Sequence, residues 1–425
     1  MTEAGSSTQF RGVRIFDGRS EVLSGPRDVV VADGRIASVR EADSAAAPEP
    51  GATVVAGEGR VLMPGLIDAH YHAAFPTLPI QALLVADLQY VAIHAAKAAR
   101  GALRQGFTTL RDAGGPTFGL QQAIDEGTVA GPRLYPAGAM IAQTSGHADF
   151  RFATELPRGL CGHLSHAELV GASVIADGVP EVLRGVREQL MRGATQVKMM
   201  AGGGVASAHD PLDVTQFTEA ELRAGVEAAE NWGTYVMVHA YTPRAVLQAI
   251  LAGVRSIEHG HLLDEATVAL MAEQGVWWCL QPFLDDEDAI PVPPRSRDKQ
   301  LAVIRGTERA YELARKHEVR LAWGTDTLFD ARLASRQAHQ LAKMSRWFTP
   351  AEALRMATST NAELVAMCGP RDPYPGGLGV VEPGALADLL LLDGDPLADL
   401  GVIADPGRLL MVMKGGVAHT PDSLA

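Results

Sequence analysis

The pattern of apolar and polar positions divides the chain into three parts. Residues 10–60 hold short β-like pieces, at 12–16, 28–31, 35–39 and 53–55, bounded by turn residues. Asp33-Gly34 between two of them is a hairpin signal, and the Ala/Pro-rich stretch 45–50 reads as a surface loop. From residue 61 apolar runs that read as buried strands alternate with helical segments. Eight strand candidates follow in order, at 61–67, 108–111, 133–139, 196–200, 234–238, 255–258, 276–281 and 319–324. Amphipathic helices fit between several of them, for example 219–231, with Thr218 as N-cap, and 243–252. Eight such units predict an α/β chain folded as a closed parallel (β/α)8 TIM-like barrel, with its reactive groups at the C-terminal strand ends. From residue 375 short β pieces return, at 379–381, 387–392 and 410–413, with a turn at Gly415-Gly416. The expected organisation is a barrel over 61–374 and a small β-domain built from 1–60 and 375–425.

Composition narrows the classes. At 425 residues, 47% of them hydrophobic, the chain can bury a large core as one large domain or one plus a small one. A formal charge of −13 argues against nucleic acid or an anionic membrane surface as partner, since either needs a basic face. Cys161, Cys279 and Cys368 are far apart and lack a C-x-x-C pattern, so neither a disulfide framework nor a thiolate metal site is expected. The stretch 1–9 is polar, without an apolar signal core. The most apolar stretch, 386–400, is interrupted by Asp388, Asp393, Asp395 and Asp399. The expected location is cytoplasmic.

The candidate chemistry sits where the expected strands end. His70 and His72 close the first strand at i, i+2 spacing, so both imidazoles point to the same side. Lys198 lies in the fourth strand, His239 and His259 end the fifth and sixth, and Asp326 follows the eighth. Imidazole and carboxylate donors suit zinc and similar divalent ions. Six such positions in the correct strand order predict a metal site.

These residues resemble the amidohydrolase superfamily of metal-dependent hydrolases. The resemblance covers nearly the whole chain: the opening Gly65-Leu66-Ile67-Asp68-Ala69-His70-Tyr71-His72, the four later positions, and the ending from Gly379 to Leu389, similar to the family's returning β-sandwich. Ser256-Ile257-Glu258-His259-Gly260-His261 and Ala322-Trp323-Gly324-Thr325-Asp326-Thr327 look closest to its prolidase-like, imidazolonepropionase-related members, which include Xaa-amino-acid dipeptidases and ochratoxin-hydrolysing enzymes. The resemblance implies two divalent ions, zinc first among candidates, with His70 and His72 on the buried one and His239 and His259 on the other. Lys198 would bridge them as a carbamate made from CO2, because a protonated ammonium has no lone pair to give. The implied reaction is hydrolysis of an amide-type C–N bond in a small substrate such as a dipeptide or N-acyl amino acid. A metal-bridging hydroxide would attack, and Asp326, also a metal ligand, would shuttle the proton.

Two other chemistries remain open: hydrolysis of a urea, carbamate or thiocarbamate, and deamination at a single metal. Against deamination, no acid follows His239 in Ala240-Tyr241-Thr242-Pro243-Arg244. A scaffold role would show itself in missing ligands, and none is missing. His147 matches a histidine that lies near the substrate in the related subgroup. Tyr241, two residues past His239, should point into the barrel mouth, and His209 sits on a loop that could tune specificity. His261 is expected behind the ligands. Residues 201–204 are expected to turn the chain rather than form an anion nest. The acidic run 285–288 reads as a solvated loop, with recognition of a basic substrate end as the sharper alternative. His94, His163, His166, His317 and His419 carry no expected role. The resemblance also implies a homo-oligomer.

Overall fold

A computed structural model describes residues 7–207 and 209–424, so the first six residues of the expected 1–60 segment lie outside it. Ten parallel strands surround the centre of the molecule, in two sheets. One sheet joins Leu66–Tyr71, Phe107–Asp112 and Arg133–Tyr135. The other runs Ser173–Ile175, Met140–Ala142, Val197–Met200, Val236–Ala240, Ser256–His259, Trp277–Leu280 and Leu321–Trp323. The ladder expected to close on itself is therefore open at two seams. Backbone hydrogen bonds cross them, among them Thr195 N–H to the Pro136 carbonyl and Asp326 N–H to the His70 carbonyl, both 2.8 Å.

Two expected strands are shorter than their apolar runs. The run 133–139 is strand only over Arg133–Tyr135; it stops at Pro136, which has no N–H to give a ladder, and turns at Gly138 (φ 73°), and the next strand, Met140–Ala142, begins beyond it in the other sheet. The run 61–67 breaks at Gly65, whose N–H goes to the Asp388 carbonyl while that of Leu66 goes to Gly106. Val61–Pro64 thus belongs to the terminal sheet, and only Leu66–Tyr71 carries the histidine pair. The pattern missed this because both halves are wholly buried and equally apolar.

The chain ends do meet. Thr8–Ile15, Arg27–Ala32, Arg35–Glu41, Thr53–Ala56 and Val61–Pro64 share an eight-stranded mixed sheet with Leu389–Leu392, Leu409–Lys414 and Val417–His419. Phe10, Val29, Ile36, Leu62, Leu391 and Met413 form its buried core, drawn from both ends. The turn Asp33-Gly34 has φ of 50° and 73°, as a two-residue hairpin turn requires. Residues 379–381 are not a strand; Val380 and Val381 are buried in this core, so their apolar pattern reports burial alone.

Helices pack outside the parallel strands. Thr218 caps Glu219–Glu230 through a reciprocal box with Glu221, a device that typically contributes about 1 kcal/mol. Pro243 opens Pro243–Leu251, where its missing N–H costs nothing. Among the described residues no helix is long and apolar enough to cross a membrane.

Candidate metal centre

His70, His72, Lys198, His239, His259 and Asp326 come together at the C-terminal strand ends, and all but His70 line one cavity. The five basic side chains are buried and Asp326 is nearly so. His70 and His72 present Nε2 at 3.4 and 3.5 Å from the same Asp326 oxygen. Ring centroids stand 4.8 Å apart for His70 and His259, and 4.5 Å for His239 and His259. One donor atom each from His70, His259 and Asp326 lies within 4.8 Å of the others.

Each imidazole has one nitrogen engaged outside the cluster. Nδ1 of His70 donates to Glu258 (2.6 Å), that of His72 to the Gly114 carbonyl (2.8 Å), and that of His259 to Gln281 Oε1 (2.8 Å). In His239 it is Nε2 that donates, to the Gly203 carbonyl at 3.1 Å. Such partners fix the tautomer and leave the opposite lone pair for a metal. His70 Nε2 is buried without a hydrogen-bond partner, a position a cation would satisfy.

The protonation states agree with that use. Burial pushes His72 down to about 3 and holds His239 and His259 well below the usual imidazole range, so these rings are neutral. Burial also lowers Lys198, against the opposing pull of Glu258 and Asp326, which favours the neutral amine. Burial alone would raise Asp326; its contacts with His70, His72 and Lys198 outweigh that and hold the carboxyl below its ordinary range.

Behind the cluster lie residues that the sequence reading did not single out. Arg111, fully buried, contacts both Glu258 oxygens from Nη2 at 2.8 and 2.7 Å, and Ser256 adds a third donor at 2.6 Å. Asp68 accepts from Thr325 Oγ1 (2.6 Å), Thr325 N–H (3.0 Å), His70 N–H (3.0 Å) and Gln337 Nε2 (2.8 Å), clamping the segment before Asp326. His259 and Asp326 themselves have φ of 76° and 52°, a left-handed conformation that costs of order 1–3 kcal/mol in a non-glycine residue. Gly324 lets this corner close: a Cβ there would stand 2.5 Å from His70 Cβ. Charged residues inside wholly buried strands, Arg111 and Glu258, were the signal available for finding this support.

The other expected contacts divide. His147 and Tyr241 line the cavity, and His147 stacks on His239 with centroids 4.1 Å apart. His261 packs between Tyr241 and Phe283 and donates to the Gln281 carbonyl. His209 is a correction: it is exposed, bonds the Arg151 carbonyl, and does not line the cavity. The acidic loop is a second, since it is neither free nor simply solvated. Asp285 pairs with Arg297, Asp286 with Lys343, Glu287 with Arg336, and Asp288 with Arg336 and Lys343. Residues 201–204 spend their N–H groups on His239, Val214 and Asp210, so no anion nest forms.

The cavity has a volume of about 160 Å³. Away from the cluster its walls are mainly apolar, with Phe75, Met140, Phe150, Phe283, Ile290 and Phe329 among the lining residues.

Comparisons with known proteins place the chain in a family. Residues 61–418 match the model of the Amidohydrolase family. Ochratoxinase from Aspergillus niger is 35% identical over 368 residues, 84% of this chain and 75% of that protein. A prolidase solved in complex with N-methylphosphonate-L-proline is 36% identical and superposes with a TM-score of 0.88, covering 98% of this chain and 100% of that one. A Xaa-Pro dipeptidase solved with methionine in its active site is 27% identical, with a TM-score of 0.85 over 98% of this chain and 100% of that one.

Proposed function

Because this chain belongs to the amidohydrolase family and is a hydrolase acting on carbon–nitrogen bonds, we propose that it cleaves the amide of a small dipeptide or N-acyl amino acid at a two-metal centre. The reading rests on the clustering of four imidazoles, Lys198 and Asp326, all but His70 lining one cavity, with a buried His70 nitrogen that has no hydrogen-bond partner. His70 and His72 would hold one ion and His239 and His259 the other, with Asp326 a further ligand and Lys198, carried as its carbamate, between them. Divalent ions, zinc by this donor set, supply a Lewis acid and a water that ionises near neutral pH.

The remaining steps belong to the chain. Asp326, ionised at rest, takes the proton of the attacking water and passes it to the leaving nitrogen as the C–N bond breaks. The left-handed turn at Asp326, clamped through Thr325 by Asp68, holds that carboxylate beside His70 and His72. His147 and Tyr241 offer polar contacts to the carbonyl or carboxylate oxygen of the substrate. The apolar walls exclude water and suit apolar substituents on either side of the amide.

The test is a panel of dipeptides, N-acyl amino acids and aryl ureas, run on purified zinc-loaded protein with and without a chelator. Amide turnover that disappears on chelation and returns with zinc is expected. Turnover of ureas alone, release of ammonia from an amino-heterocycle, or full activity in folded metal-free protein would overturn the proposal.

A further inference from the structure

One side chain ties the loop after Val197–Met200 to the far side of the cavity. Lys299, in the first turn of Arg297–Lys316, donates to the carbonyls of Gly204, Ser207 and Asp210, each at 2.9 Å. These acceptors use all three ammonium protons. A cation in the first turn is opposed by the helix dipole, so the carbonyls rather than the helix account for its position. The two segments follow strands three places apart in the sheet, and Lys299 spans the gap between them.

The loop so held presents Asp210, 2% exposed. Its Oδ2 accepts from Gly204 N–H at 2.7 Å and from His147 Nδ1 at 3.1 Å. His147 is fixed from other directions as well. Its N–H donates to Gln216 Oε1 at 2.9 Å, and its ring lies nearly parallel to that of His239. The ring edge rests on Gly204, where a Cβ would stand 2.0 Å from His147 Cε1. With Nδ1 engaged, Nε2 is the ring nitrogen left to meet a ligand.

We propose that Lys299 and Asp210 are positioning residues: Lys299 pins the loop, the loop presents Asp210, and Asp210 sets the His147 ring so that Nε2 faces a substrate oxygen. This deepens the proposed function and rests on its reading of His147 as a substrate contact.

The test uses full-length, zinc-loaded Lys299→Met, which keeps the stem and removes the protons, and Asp210→Asn. Hydrogen exchange over residues 201–216, followed by mass spectrometry without substrate, should quicken at least tenfold in Lys299→Met while the melting temperature holds. On the best amide of the panel kcat/KM should fall roughly ten- to a hundredfold in either variant, mainly through KM, as expected for a misplaced contact. In a His147→Ala background the same substitutions should cost almost nothing more. Unchanged exchange, or an undiminished loss without His147, overturns the proposal. If no amide is turned over, the proposed function fails, and the exchange rates alone still decide whether Lys299 pins the loop. Should Lys299→Met not fold, Lys299→Arg serves, since a planar guanidinium cannot direct three protons at those carbonyls and the same rise in exchange is expected.

Discussion

Glu258 accepts a 2.6 Å hydrogen bond from His70 Nδ1, and neither side chain has any exposed surface. Since Arg111 and Ser256 also donate to that carboxylate, Glu258 is an ionised acceptor, held well below the usual carboxylate range by Arg111 and His70 against the effect of burial. The proton on His70 therefore sits on Nδ1, and Nε2 is the nitrogen left facing Asp326. This assigns a role to the glutamate adjacent to His259: it orients His70.

Glu258→Gln should weaken both the fold and the site. It strands the Arg111 guanidinium in the core, and breaking a buried ion pair costs about 3–5 kcal/mol. Loss of the outer partner of a ligating histidine lowers metal affinity roughly 10–100-fold. Calorimetry and zinc titration of the purified variant read the two effects separately. Unchanged zinc affinity would remove Glu258 from the site.

Lys198→Ala addresses the metal count. Without a bridging carbamate the protein should retain one equivalent of metal or less and lose most activity, as read by elemental analysis after desalting. Two retained equivalents with full turnover would refute the carbamate.

How much of this was legible in the sequence follows from what each residue must do locally. His70, His72, Lys198, His239, His259 and Asp326 all lie in or just beyond apolar strands, and strand ends are marked by local pattern. Glu258 and Arg111 lie 147 positions apart, so their pairing has no local signature. The acidic loop was misread for the same reason: its partners Arg336 and Lys343 belong to later elements. Pattern also cannot separate two adjoining buried strands that enter different sheets, which is why Val61–Pro64 was joined to Leu66–Tyr71.

Asp112, which accepts from the Ala73 N–H next to His72, gives a pH prediction. Burial pushes its carboxyl up to about 6 from 3.8, despite hydrogen bonds from Ala73 N–H and Thr117 Oγ1 that favour the anion. The folded state thus holds this proton more tightly than the unfolded state. Its contribution is fully favourable below the unfolded pKa and is lost as pH rises through the folded one, by roughly 3 kcal/mol in all. Asp112→Asn removes that dependence. In metal-free protein, the stability of wild type relative to the variant should fall between pH 4 and pH 7 in urea titrations. A constant difference would mean that the carboxyl is ionised throughout.

Asp326→Asn isolates the proton shuttle, and the backbone explains why asparagine is the substitution to use. Asp326 has φ 52°, and asparagine enters the left-handed region more readily than other non-glycine residues. The side chain keeps its size, and the Asp326 N–H bond to the His70 carbonyl is unaffected. What disappears is a carboxylate able to take a proton. Assayed with zinc in excess to offset the weaker ligand, the variant should keep its melting temperature and show kcat reduced roughly 10²–10⁴-fold with a smaller change in KM. Asp326→Ala would add backbone strain to the lost charge and confuse the two. If Asp326→Asn retains wild-type kcat, the proton passes through another group, and the cavity offers His147 as the first to examine.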